Sequence, residues 1–155
     1  VEETVTEESV TVQSGNNTEE FTFACPIQGE VIPLSEVPDE TFASGVLGDG
    51  VGVKPEEGKV YAPFNCTVAT VFDTKHAIGL ETAAGMELLI HVGLDTVTLN
   101  GEPFTVHVET GQQVKKGELL AEFDMEKILN AGLKTVSPII ITNQGSYQAV
   151  HITQR

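Results

Sequence analysis

The sequence predicts an all-β domain, an antiparallel β-sandwich or barrel with a few short helices. Three observations predict it. From residue 21 onward, β-prone runs end at Gly or Pro at intervals of about ten residues. Helical periodicity is scarce between them. A chain of 155 residues with 40% hydrophobic and 20% charged content has enough apolar text for one ordinary domain with a workable core.

In chain order, strands are expected over residues 21–25, 29–33, 50–55, 58–62, 66–72, 77–81, 87–92, 104–108, 119–123 and 139–143. Gly29, Gly50 and Gly58 open three of these runs, and Pro33 and Pro55 close two, where each interrupts a ladder. Short helices are expected over 39–43, 96–99 and 125–131, with Asp95 placed to cap the middle one at Thr96. Pro26-x-x-Gly29-x-Val31 returns as Pro63-x-x-Cys66-x-Val68, a hint of two related halves.

Charge is unevenly spread. Lysine and arginine number 8 against 23 acidic residues, a net charge of −15 that repels phosphate backbones and argues against nucleic-acid partners. A charged partner should present a basic face. The first lysine is Lys54, and residues 1–53 carry eleven carboxylates. Within them, residues 1–20 are polar, acidic and free of aromatics, the composition of a flexible linker or tail ahead of a domain over 21–155. The sharper expectation is that they were the tether to a larger upstream protein. No apolar run approaches the roughly 18 residues of a membrane span. The opening stretch does not read as a secretion signal, and Cys25 and Cys66 are too few and too far apart to suggest a disulfide framework or a zinc ribbon, so a cytoplasmic setting is expected.

Two histidines stand in neighbouring β-prone text, in Thr74-Lys75-His76-Ala77-Ile78-Gly79-Leu80 and Leu88-Leu89-Ile90-His91-Val92-Gly93-Leu94-Asp95-Thr96-Val97. In extended chain, His76 would share a face with Phe72, Thr74, Ile78 and Leu80, and His91 with Glu87 and Leu89. An apolar frame keeps an imidazole neutral and nucleophilic near pH 7. Such a group accepts a phosphoryl group, binds a metal or acts as a base. A lone strand histidine is usually structural filler, the reading given to His107 and His151. Two in matching contexts point to one paired site.

The run Gly48-Asp49-Gly50-Val51-Gly52-Val53-Lys54-Pro55, then Ala62-Pro63, then the two histidine motifs with Gly85-x-Glu87 before the second, resembles the glucose-type enzyme IIA domains of the bacterial sugar phosphotransferase system. The resemblance extends through Gly111-Gln112-x-Val114-x-x-Gly117, Glu122-Phe123-Asp124 and Ser137-Pro138-Ile139-Ile140-Ile141-Thr142-Asn143, covering about residues 20–145. It implies a sandwich of the duplicated-hybrid-motif kind and a phosphoryl relay. Phosphate would come from the histidine-phosphorylated carrier HPr and pass to a cysteine of an enzyme IIB domain, for sugar entering through IIC. By that resemblance His91 is the nucleophile, through Nε2, and His76 steadies the phosphoryl group. No cofactor or metal is required. Attack through Nε2 needs the proton on Nδ1, facing an acceptor such as the Gly93 carbonyl. Thr74 is expected to bond the His76 imidazole or the phosphate.

The resemblance also implies an apolar docking patch of Phe42, Leu47, Phe72 and Leu89, against the plainer reading that all four are core. Asp39 and Asp95 match positions that meet an arginine of HPr, and such rim charges set encounter rate and orientation. The chain departs from the pattern at Cys66 and Pro103, where the family commonly has glycine, and at Gly52 for alanine. A cysteine at 66 implies that the backbone there needs no positive φ. The wording looks like Gram-positive forms serving glucose, sucrose, trehalose or β-glucosides, with sugar choice read by the transporter.

Other classes compete. A IIA-like regulatory domain of a non-phosphotransferase transporter would read the same. A lysostaphin-type zinc peptidase fits His91-Val92-Gly93-Leu94-Asp95 but needs a His-x-His that the chain lacks. A biotinyl or lipoyl carrier would display its lysine at a hairpin tip, whereas Lys127 follows Phe123-Asp124 into helix-like text. Opportunistic zinc at His76 and His91, completed by a partner's carboxylate, is also compatible with two close imidazoles.

Overall fold

Thirteen strands in three antiparallel sheets account for nearly all regular structure in the computed structural model, which describes residues 9–14, 20–44, 49–82, 86–142 and 147–153. In chain order the strands are β1 (Ser9–Ser14), β2 (Glu20–Ala24), β3 (Gly29–Pro33), β4 (Asp49–Pro55), β5 (Lys59–Tyr61), β6 (Cys66–Val71), β7 (Ala77–Glu81), β8 (Glu87–His91), β9 (Phe104–Val106), β10 (Gln113–Val114), β11 (Leu119–Phe123), β12 (Ser137–Ile141) and β13 (Tyr147–Thr153). Two short helices, α1 (Glu40–Ala43) and α2 (Met125–Asn130), and two 3-10 turns (Leu34–Glu36 and Thr96–Leu99) interrupt them. The fold is a β-sandwich: each sheet is an open row of strands, so of sandwich and barrel the sheets take the first form.

The large sheet, ordered β10-β6-β7-β8-β12-β4-β3, carries the site. Its core positions follow the period-two alternation of a pleated strand. Ile78, Leu80, Leu88 and Ile90 enter the main core, whereas Leu89, on the other face of β8, packs on a second cluster of Ile32, Leu34, Val37, Phe42, Leu94 and Ile140. All five residues of β12 are buried, because Ile139 and Ile141 face the main core and Ile140 the second cluster. A strand covered on both faces loses alternation and reads as a continuous apolar run. The second cluster exists because α1 and the 3-10 turn before it lay Phe42 and Leu34 over the outer face of the large sheet.

Every strand expected from sequence is present within a few residues of its expected bounds. Three strands were not expected. β10 is two residues long, too short for a periodic signal. β13 pairs with β1, and β1 lies inside the acidic stretch 1–20, where Ser9–Ser14 forms a ladder between β13 and β2. Cys66 sits at the buried start of β6 and is absent from the positive-φ residues, as its substitution for glycine implied. At Gly52, an added Cβ would lie 2.6 Å from Val37 Cγ2, so an alanine here requires that side chain to shift.

Candidate functional site

The β7–β8 hairpin brings the two histidines together, although not by the alternation expected for His76. In the ladder, Ala77 stands opposite His91 and Ile78 opposite Ile90. A continuous strand through residue 76 would therefore point its imidazole to the core with Ile78. Instead β7 begins at Ala77, and the chain before it bends through Lys75, whose φ of 63° lies in the left-handed region. The Lys75 amide donates to the Phe72 carbonyl at 2.8 Å, closing the turn, while Val92 N–H donates to the His76 carbonyl at 2.7 Å and extends the ladder by one rung. The bend takes His76 out of the expected face and sets its ring 4.8 Å from that of His91, at 80° between planes.

Each imidazole is oriented through Nδ1. Thr74 Oγ1 lies 2.7 Å from His76 Nδ1. His91 Nδ1 lies 2.8 Å from the Gly93 carbonyl oxygen. A carbonyl only accepts, so the His91 proton resides on Nδ1 and the Nε2 lone pair is free. Gly93 makes this possible: its φ is +76°, and a Cβ there would lie 2.6 Å from Thr96 Cγ2. Two aromatic rings frame the pair, Phe42 at 4.9 Å from His91 and Phe72 edge-on at 5.5 Å from His76.

Electrostatics keep the pair neutral. His76 is 6% exposed, and burial, helped by repulsion from His91, pushes its pKa down to about 4. Burial also lowers His91 below the ordinary imidazole value, while the bond to Gly93 and the carboxylates of Asp39 and Asp95 act in the opposite direction. Both are therefore uncharged at neutral pH.

The remaining residues singled out from sequence divide by burial. Phe42 is 7% exposed and Leu89 half-buried, both in or against the second core cluster, whereas Phe72 is 39% exposed. Leu47 lies outside the described residues. Asp39 is half-buried and caps α1, accepting the Thr41 N–H at 3.0 Å. Asp95 is exposed, with φ 60°, and its side chain makes no cap hydrogen bond, so the capping role expected for it at Thr96 is not what it does. Its backbone carbonyl instead accepts from Thr98, whose Oγ1 lies 2.8 Å away. His107 lies elsewhere, 3.6 Å from Glu122, with both side chains well exposed.

Sequence reasoning gave no role to Ser137 or Thr96, both fully buried. The Gly93 N–H donates to Ser137 Oγ at 3.1 Å, and Thr96 Oγ1 donates to the Val92 carbonyl at 2.5 Å. The Thr96 bond is local, whereas the Ser137 partner is set by strand order, which has no local signal in the sequence. Among the described residues no cluster of three or more His, Cys, Asp or Glu could hold a metal ion, so the donor set of a zinc peptidase does not assemble there. Lys127 lies within α2, not at a hairpin tip. No helix among the described residues is long and apolar enough to cross a membrane.

The fold and site together define an all-β protein of the sandwich class with a paired-imidazole site, two neutral rings held through Nδ1 beside an exposed aromatic. The sequence matches the family described as phosphoenolpyruvate-dependent sugar phosphotransferase system, EIIA 1, over residues 21–147, and the chain belongs to that family. Among solved structures it is similar to the glucose permease IIA from Mycoplasma capricolum, at 36% identity and a TM-score of 0.75, covering 88% of this chain and 82% of that one. Membership makes it a sugar phosphotransferase component of the glucose type, whose kinds of partner are HPr and an enzyme IIB domain.

Proposed function

We propose that the domain accepts a phosphoryl group on His91 from phospho-HPr and passes it to a cysteine of an enzyme IIB domain. One observation carries the reading: the Gly93 carbonyl, 2.8 Å from His91 Nδ1, holds the proton there and leaves Nε2 as the nucleophile. The Nε2 lone pair forms the new N–P bond as the donor histidine's N–P bond breaks, and that bonding pair returns to the donor imidazole. In the second step the cysteine thiolate takes the phosphoryl group and the electron pair returns to His91 Nε2. Phosphoryl transfer depends on positioning and charge stabilisation, which the neighbouring groups supply. His76, with Nδ1 held by the Thr74 hydroxyl, presents Nε2 to the bound phosphoryl oxygens.

The proposed contact face takes in the exposed Phe72 beside His76, Phe42 beside His91 with Leu89 packed on the same cluster as Phe42, and the carboxylates of Asp39 and Asp95, which act on His91.

Incubation with enzyme I, HPr and phosphoenolpyruvate tests the reading on wild type, His91→Ala and His76→Gln. Wild type and His76→Gln should take an acid-labile phosphate and His91→Ala none. Delivery from His76→Gln to IIB should fall about a hundredfold or more. A wild-type protein that takes no phosphate would sink the assignment.

A further inference from the structure

The acceptor tautomer depends on the orientation of Gly93, a residue free to rotate unless something holds it. Both peptide groups flanking its Cα are tied to one segment. The Gly93 N–H donates to Ser137 Oγ at 3.1 Å, and the Leu94 N–H donates to the Lys134 carbonyl at 3.0 Å. Ser137 is 0% exposed at the first position of β12, paired in the ladder with Val53. Its own hydroxyl proton is committed, because Ser137 Oγ donates to the Thr135 carbonyl at 2.8 Å. Toward Gly93 it therefore presents only a lone pair. The chain of bonds runs from Thr135 through Ser137 and Gly93 to His91 Nδ1, 2.8 Å from the Gly93 oxygen.

We propose that Ser137 is a positioning residue for the acceptor histidine: by accepting the Gly93 N–H it aims the Gly93 carbonyl at His91 Nδ1 and keeps Nε2 unprotonated. The inference rests on the phosphocarrier reading for its consequence in transfer, but not for its structural content. A serine that only filled the core would be replaceable by alanine at the cost of stability alone. Removing the Oγ leaves the Gly93 N–H unpaired in a buried place; as its peptide turns toward another acceptor the φ of Gly93 changes, and the carbonyl beyond it is then held by the Leu94 N–H bond to Lys134 alone.

The test is nitrogen-15 NMR of the imidazoles at pH 7.5 on wild type, Ser137→Ala, Ser137→Cys and Ser137→Thr, with the rate of phosphorylation by phospho-HPr measured in parallel. Wild-type His91 should be the Nδ1–H tautomer. In Ser137→Ala the Nε2–H fraction should rise several-fold and the phosphorylation rate fall about tenfold, with the His76 nitrogen shifts unchanged. Ser137→Thr, which keeps the hydroxyl, should retain the wild-type tautomer and rate. Should Ser137→Ala not fold, Ser137→Cys keeps the volume with a weak acceptor and must show the same two changes. Wild-type nitrogen shifts and rate in the alanine or cysteine variant would overturn the proposal. So would a wild-type His91 protonated on Nε2. The phosphocarrier reading is judged separately, by whether His91→Ala still takes phosphate.

Discussion

His76 is where burial and the proposed function meet most directly. Its pKa, pushed down to about 4 by burial and by His91, lies below the ordinary value of 6.5 that it recovers on unfolding. The unfolded chain therefore takes up a proton between pH 6.5 and about 4 while the folded one does not, so the stability present above 6.5 is lost as pH falls through that window. At pH 4.5 the loss from this one group is about 2–3 kcal/mol. His76→Gln removes the titrating group, so its urea-unfolding free energy should drop less than that of wild type between pH 7.5 and 4.5, by about that amount. A His76 that titrates near 6.5 by NMR, or equal drops in the two proteins, would contradict the burial argument. The sequence made the neutral state legible, through apolar text around both histidines. It did not make the bend at Lys75 legible, because a lysine in the left-handed region carries no local marker of the kind glycine provides.

At the scale of elements, Gly and Pro punctuation made the strands legible, and the β-branched run Ile139-Ile140-Ile141 marked one of them, although its burial on both faces emerges only in the structure. Pairing was not legible. β12 enters between β8 and β4, and that long-range register is what brings Ser137 to Gly93. Helix α1 shows how one element serves two ends. It is only four residues long and depends on its Asp39 cap and on burial of Phe42, the ring that lies 4.9 Å from His91. Asp39 also favours a protonated His91 through its charge. Two substitutions separate the roles. Asp39→Asn keeps an oxygen for the Thr41 N–H and should retain stability, yet lower the His91 pKa further. Asp39→Ala should lower that pKa and also cost about 1 kcal/mol of stability. Denaturant midpoints together with a His91 titration distinguish them, and an unchanged titration in both variants would mean that the Asp39 charge does not reach the imidazole.

For the molecule as a whole, the proposed docking divides between the net charge of −15 and the exposed Phe72. An exposed aromatic beside the histidines supplies contact area that salt leaves largely intact. The acidic excess, with Asp39 and Asp95 near the site, acts at longer range by steering a basic partner into register before contact. Since solution ions screen that field over about 10 Å at 0.1 M, the two parts respond to salt differently. The second-order rate of phosphorylation by phospho-HPr should therefore fall several-fold between about 0.05 and 0.5 M ionic strength, while the transfer rate within the saturated complex stays constant. Phe72→Ala should have the complementary effect, weakening the complex at every ionic strength and leaving the salt slope unchanged. Stopped-flow quench measurements across both series check this. A second-order rate insensitive to salt would remove electrostatic steering from the account and leave the apolar face as the whole basis of docking.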